Sequence, residues 1–224
     1  MRQILLVLLL LISPCLAATK PTLPDKVELK VPFLCQAPNG NWDQPYQDAC
    51  EEAAIIMAMH YINGKPLDKD IGNQEILNLV AFQNKKYGGH HDLTAKSAGK
   101  LMKDYYKFTD FTRLYSFEVE TIKSALAKGE IVIAPAAGRL LKNRYFRQPG
   151  PAYHYLVFKG YNDRQKEFIT NDPGTKRGYG FRYSYENAYD SIHDWTGSRE
   201  TIAKGRKAII IIHKTHIVID NKSQ

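Results

Sequence analysis

The sequence predicts an α+β domain, and three observations carry that reading. Helix-period apolar patterns fill the first half of the chain. Extended runs fill the second half, two of them joined by a hairpin signal. Helices first and an antiparallel sheet afterwards is the α+β order, and a two-lobed single domain with a cleft between the lobes satisfies it without a second domain. No internal repeat and no low-complexity segment interrupts the pattern.

The chain has 224 residues and begins MRQILLVLLLLISPCLAA, residues 1–18. One Arg, an apolar run from Ile4 to Ile12, Pro14 and then small residues read as a secretory signal peptide, cut after Ala17 or Ala18. The run is too short to span a bilayer, and no other stretch is apolar enough to do so. Cys15 follows Pro14, which suits a lipoprotein anchor poorly. The expected location is secreted or periplasmic, with an uncleaved N-terminal anchor as the alternative. About 205 residues would remain, enough for one domain with a core. Losing Arg2 lowers the formal charge from +8 to +7. Cys35 and Cys50 would be the remaining cysteines, and in an oxidising compartment they could pair.

Thr19 to Lys30 is polar with two prolines and reads as a linker, so the domain is expected from 31 to 216, with a tail from 217 to 224. Val31 to Leu34 looks extended and leads into a Pro/Gly/Asn-rich loop. Asp48 followed by Glu51 reads as a capping box that places Cys50 in the first turn of a helix. From Ala53 to Ile62 only His60 and Tyr61 carry polar side-chain atoms, so this helix should be buried nearly all round. Asn63-Gly64 is its expected C-cap. Between Pro66 and Tyr87, Ile71, Ile76, Leu79, Val80 and Phe82 recur at helical spacing. Tyr87 to Asp92 breaks that helix, and Thr94 caps a third that runs to about Tyr105. Phe108 to Phe117 reads as a short strand, Val119 to Gly129 as an amphipathic helix and Glu130 to Ala136 as a strand. Gly138 to Ala152 is a basic, aromatic loop. His154 to Tyr161 and Lys166 to Asn171 are strands joined at Asn162 to Gln165. Tyr179 to Tyr185 alternates like a strand, Glu186 to Trp195 reads as a short helix, and Ala208 to His213 as a buried strand.

The chemistry concentrates on Cys50. Unpaired N–H groups and the positive end of the helix dipole favour a thiolate there, which makes a nucleophile; the plain alternative is a buried or disulfide-bonded cysteine. A nucleophilic cysteine needs a base, and the base needs an orienting group. Of the histidines, His154 is distinguished by position. With the hairpin centred on Asp163, Asp172 falls opposite His154 across the ladder, close enough for a carboxylate to hold one ring nitrogen. A slip of one residue would break that pairing.

Three stretches resemble the papain-like cysteine peptidase family thirty-nine, whose best-known members remove leader peptides from bacteriocins. They are Val31-Pro32-Phe33 with Gln36, Cys50-Glu51-Glu52-Ala53, and His154-Tyr155 through Gly160-Tyr161 to Asn171-Asp172-Pro173. The resemblance spans residues 31 to about 195 and is closer to the stand-alone secreted branch than to the transporter-fused members. It implies a papain-like fold, a peptide or protein substrate and no cofactor. It further implies Cys50 as nucleophile, His154 as base, Asp172 as orienting acid, and Gln36 with the Cys50 N–H as oxyanion donors. The transporter-linked members carry Gly after the cysteine, where this chain has Glu51. Their oxyanion Gln lies six positions before it, which here is Gln44, so Gln36 and Gln44 both stand as candidates.

The remaining signals have plain readings. His90-His91-Asp92 suits a polar loop better than a metal site, and His213 with His216 lacks a usual zinc spacing. Arg144 to Tyr153 either lines a substrate cleft or packs as a loop. Asp194-Trp195 is expected to pack the lower sheet, and Cys35 to be a small buried residue. Lysines and arginines at 85–86, 142–147, 176–177 and 204–207 read as a solvated basic surface and not as nucleic-acid binding. The expected function is an exported thiol hydrolase that cleaves a peptide or isopeptide bond. The alternatives are a catalytically silent envelope module binding peptide or glycan, and another amide-handling activity such as a transpeptidase, amidase or transglutaminase.

Overall fold

The computed structural model describes residues 22–214. The expected signal peptide, Cys15 and His216 lie outside the described residues. Part of the stretch expected as a linker is a strand, β1 (Lys26–Glu28). The helices α1 (Cys50–Asn63), α2 (Lys69–Tyr87) and α3 (Ala95–Tyr106) follow, then β2 (Phe111–Leu114), α4 (Val119–Ala127) and β3 (Ile131–Ala137). The second half holds β4 (Tyr153–Asn162), β5 (Glu167–Asn171), β6 (Phe181–Ser184), α5 (Tyr185–Ser191) and β7 (Ile209–Ile212). The strands form one antiparallel sheet in the order β2-β7-β3-β4-β5-β6, with β1 pairing on β4. This is an α+β fold. Among the described residues no helix is long and apolar enough to cross a membrane.

The two faces of the sheet follow from the period-two alternation of strand side chains. Ile131, Ile133, Tyr155, Val157, Ile210 and Ile212 pack against α1, α2 and α3. Val132, Ala134, Leu156, Phe158, Ile209 and Ile211 pack against α4 and α5. Helix α1 is buried continuously from Cys50 to His60, as its composition requires, and Gly64 closes it in the left-handed region at φ 60°. Thr94 caps α3 by accepting from the Ser97 N–H at 3.0 Å. A second, distant cap is supplied by Asp194, whose buried carboxylate accepts from the Ala95 N–H at 2.8 Å.

The capping box expected at Asp48 and Glu51 does not form. A 3-10 turn (Tyr46–Asp48) runs into α1, so Ala49 occupies the cap position. The Asp48 carboxylate instead accepts from Gln44 at 2.7 Å and from Arg199 at 2.9 Å. Glu51 turns inward. Cys50 is nevertheless the first residue of the helix. The short helix expected over 186–195 ends at Ser191, which leaves Trp195 free to pack on Tyr153 with ring centres 5.1 Å apart.

The β4–β5 ladder departs from the expected register. Asn162 pairs with Glu167 and Gly160 with Ile169, but Phe158 pairs with Thr170 and Val157 with Asn171. Lys159 is therefore an extra residue on β4, a bulge. Its carbonyl accepts from the Leu29 N–H at 2.7 Å, and its buried Nζ donates to Glu28 at 3.0 Å. Next to it, Gly160 lies flat against β1, where a Cβ would fall 2.3 Å from the Val27 carbonyl oxygen. Only glycine fits there.

Candidate active site

Cys50 and His154 line one cleft of about 870 Å³, with Gln36 beside them. The sulfur comes from the N-terminal tip of α1 and the imidazole from the start of β4. His154 is 1% exposed and Asp172 is fully buried. The His154 Nε2 donates to Asp172 Oδ1 at 2.7 Å, which leaves Nδ1 as the second ring nitrogen.

Asp172 is clamped from several sides. Oδ1 also accepts from the Gly174 N–H at 2.9 Å. Oδ2 accepts from the Tyr183 hydroxyl at 2.5 Å and from Asn143 Nδ2 at 2.8 Å. Burial opposes the ionisation of Asp172, yet the imidazole, the Tyr183 hydroxyl and the Gly174 N–H hold its carboxyl below the usual carboxylate range. Burial and the Asp172 charge push Tyr183 upward, so its hydroxyl stays protonated and remains a donor. The ring of Phe146 stands edge-on to His154 at 5.3 Å, and Gly174 fills the space beside both. A Cβ on Gly174 would fall 2.8 Å from His154 Cε1 and from Phe146 Cε1.

Cys50 differs from the expectation of a thiolate. Its Sγ–H donates to Glu51 Oε2 at 3.0 Å. Burial first, and then the Glu51, Glu52 and Asp92 carboxylates, push the thiol well above its ordinary range. Burial and the three carboxylates all oppose the N-terminal helix dipole at this position. Burial and the adjacent Glu52 also push Glu51 up to about 8. Its Oε1 accepts from the Leu93 N–H at 3.0 Å, and the Leu93 carbonyl accepts from the hydroxyls of Tyr153 and Tyr155. Glu52 is held by Gln83 at 2.6 Å, with His90 Nε2 at 3.3 Å. Cys35 and Cys50 are both buried, free thiols, so no disulfide silences the site.

Gln36 is buried beside Cys50. Its amide donates to the Tyr46 and Gln47 carbonyls at 2.9 and 3.0 Å, while Oε1 has no partner. It thus braces the turn that delivers Cys50. Gln44 is exposed and bonded to Asp48, outside the residues lining the cleft. The backbone N–H of Cys50 stands at the first helical position, where N–H groups have no partner within the helix.

Arg144 to Arg147 and Gly150 to His154 do line the cleft, although Phe146 is also packed in the core. His90 and Asp92 are engaged by Glu52 and Arg199, and among the described residues no three His, Cys, Asp or Glu side chains converge to hold a metal. His213 bridges Glu130 and Thr112, each at 2.7 Å. The parts not expected from sequence are Asn143 and Tyr183 around Asp172, and Glu51 on the sulfur. Two adjacent acids inside an otherwise apolar helix were the available signal for Glu51; Asn143 sits in a loop without periodicity and offered none.

Residues 28–205 match the model of the Peptidase_C39 like family. The structure resembles that of a C39-like peptidase from Bacillus anthracis, with a TM-score of 0.54 and 17% identity over 84% of this chain and 98% of that one. It also matches Xylellain, a cysteine protease from Xylella fastidiosa, with a TM-score of 0.43 and 15% identity over 85% and 86%. No curated protein matches the chain.

Proposed function

The chain belongs to the peptidase C39-like family of cysteine peptidases, and from that premise we propose that Cys50, His154 and Asp172 act as its catalytic triad. The observation that carries the reading is the 2.7 Å bond from His154 to Asp172 inside a cleft that Cys50 shares. A base oriented by a buried carboxylate, sharing a cleft with a sulfur at a helix tip, is a set of parts that thiol hydrolysis needs.

The resting thiol is neutral, so His154 Nδ1 takes the proton as Sγ forms its bond to the carbonyl carbon. The oxyanion meets the Cys50 N–H and one N–H of Gln36, which releases a turn carbonyl to supply it. The imidazolium then gives its proton to the leaving nitrogen as the C–N bond breaks. Water, deprotonated by His154, hydrolyses the thioester and returns the thiol. The bond cleaved is a peptide or isopeptide bond. The signal-like residues 1–18 support export, and N-terminal sequencing of the mature protein would test it.

The deciding experiment digests a peptide library with the wild type, Cys50→Ala and His154→Ala, and follows iodoacetamide labelling of each thiol by mass spectrometry. Cleavage lost in both variants, with Cys50 labelling slowed by His154→Ala, is the expected result. Labelling of Cys35 and Cys50 at equal rates, indifferent to His154, would sink the triad. A second reading is favoured by the bond from Cys50 to Glu51: a silent module of the same fold, which holds peptide or glycan without turnover. It predicts no cleavage from any of the three proteins.

A further inference from the structure

The two basic segments that the sequence holds about thirty residues apart converge on the lip of the cleft beside His154. Arg144, Arg147, Lys176 and Arg177 all line it, and all are exposed. None forms an ion pair among the described residues. The guanidinium carbons of Arg144 and Arg177 each lie 4.9 Å from the centre of the Tyr145 ring, and Arg144 donates to the Tyr145 hydroxyl at 3.1 Å. Contact with one aromatic ring gathers the two guanidinium groups without neutralising either.

Their placement follows from the clamp on Asp172. Arg144 comes next after Asn143, whose amide is fixed on Asp172, and the Tyr145 N–H donates to Asn143 Oδ1 at 2.9 Å. Arg177 comes just before Gly178, whose carbonyl accepts from the Asp172 N–H at 3.0 Å. A Cβ on Gly178 would fall 1.8 Å from the Asp172 carbonyl oxygen, so the two backbone segments pack in direct contact. The backbone that carries Arg144 and Arg177 is thereby anchored to the residue that holds the imidazole.

The acidic lining of the cleft is different. Asp48 and Asp92 face the cleft there, but Arg199 binds both, at 2.9 and 3.3 Å. The cleft is thus polarised, with its uncompensated positive charge on the His154 side.

We propose that this lip is a substrate subsite for the carboxylates of an acidic peptide segment beside the bond to be cut. The inference rests on the peptidase reading and adds the class of substrate. Arginine forks take carboxylates in two parallel hydrogen bonds, which a cleft beside the nucleophile turns into positional selectivity.

The test measures binding without turnover. Full-length Cys50→Ala protein is titrated into a fluorescein-labelled oligo-glutamate peptide and into its oligo-glutamine counterpart, and anisotropy is read at low and high salt. The glutamate peptide should bind about tenfold more tightly at low salt, and the margin should shrink as salt screens the charges. R144Q/R177Q should abolish the margin. R144K/R177K, which keeps both charges, should retain part of it, and Lys65→Gln at the far end of α1 should leave it intact. Equal binding of the two peptides, or a margin unchanged in R144Q/R177Q, would overturn the proposal. So would polyphosphate competing better than the glutamate peptide, which would mark an anionic polymer and not a peptide as the occupant. A protein that prefers glutamate yet cleaves nothing removes the peptidase reading and leaves the subsite. One that cleaves but binds both peptides equally removes the subsite alone.

Discussion

His154 and Asp172 meet at 2.7 Å because the ladder between their strands carries one extra residue, Lys159. On the turn side of the bulge, the pairing of Gly160 with Ile169 would set Asp172 against Val157 and aim it at the opposite face of the sheet. The bulge moves the register by one, so Asp172 shares a face with Leu156 and, diagonally, with His154. Face-sharing, and with it the orientation of the proposed base, depends on that single insertion.

Tyr183→Phe removes one donor from the Asp172 carboxylate while the Asn143 and Gly174 donors stay. A hydrogen bond to a buried charge contributes about 1.5–3 kcal/mol, so urea unfolding at neutral pH should show a loss of that order. The folded pKa of Asp172 is depressed, so its contribution is present above the unfolded value and disappears as pH falls through the folded one. The variant raises the folded value, and acid unfolding should therefore set in at higher pH than in the wild type.

Glu51→Gln removes a carboxyl whose pKa is pushed up to about 8, well above its unfolded value. This sign is the reverse of the previous one. The folded state holds the proton more tightly, so stability is greatest below the unfolded value and declines as pH rises toward 8. The variant should flatten that decline and gain about 1–2 kcal/mol on the wild type in mildly alkaline solution, read by denaturant titration. Above about pH 8, where Glu51 is ionised in the wild type, the variant also removes a negative charge beside the sulfur. Iodoacetamide should then label Cys50 about tenfold faster in that alkaline range, the equivalent of about one pKa unit.

Gln36→Ala and Gln44→Ala separate the two oxyanion candidates. Gln36 is buried in the cleft, whereas Gln44 is bonded to Asp48 at the surface. Losing an oxyanion donor costs about 10²-fold or more in kcat with little change in KM. That loss should appear for Gln36→Ala only. Gln44→Ala should stay within about twofold of the wild type, as surface changes do. A fall in kcat confined to Gln44→Ala would reverse the assignment.

Gly174→Ala introduces a methyl group 2.8 Å from His154 Cε1 and Phe146 Cε1. Overpacking of this kind costs about 1–3 kcal/mol. The imidazole and not the backbone must yield, because the chain leading into Gly174 is anchored: the Gln36 N–H donates to the Pro173 carbonyl at 2.9 Å and the Gly174 N–H to Asp172 at 2.9 Å. Peptide hydrolysis should fall more than the thermal midpoint would suggest, while alkylation of Cys35 stays unchanged.

Much of the fold was legible because it rests on local patterns. The burial of α1 followed from its composition, the α3 cap from Thr94, and the β4–β5 hairpin from alternating runs around a polar turn. The pair His154 and Asp172 was found through a register that was wrong by two residues, and a two-residue error preserves the face. A turn shifted toward Lys166 and a bulge at Lys159 are tertiary outcomes, the bulge being tied to β1, and no periodicity announces them. The resting state of Cys50 was misjudged for a different reason. Helix position speaks for a thiolate, but side chains that fold inward from Glu51 and Glu52 decide the local charge. The basic lip was legible only as separate segments, one of them a candidate cleft lining, since Arg144 and Arg177 become neighbours only across Tyr145.

The bond between Cys50 and Glu51 also bears on how long the protein lasts. Peroxides and electrophiles consume sulfur as the anion, at rates that follow its thiolate fraction. A sulfur that keeps its hydrogen until a substrate carbonyl arrives is spared much of that damage, and so is Cys35, which burial likewise keeps protonated. Durability toward oxidants thus comes from the same burial and acidic neighbour that slow the proposed nucleophile, and loosening one would spend the other.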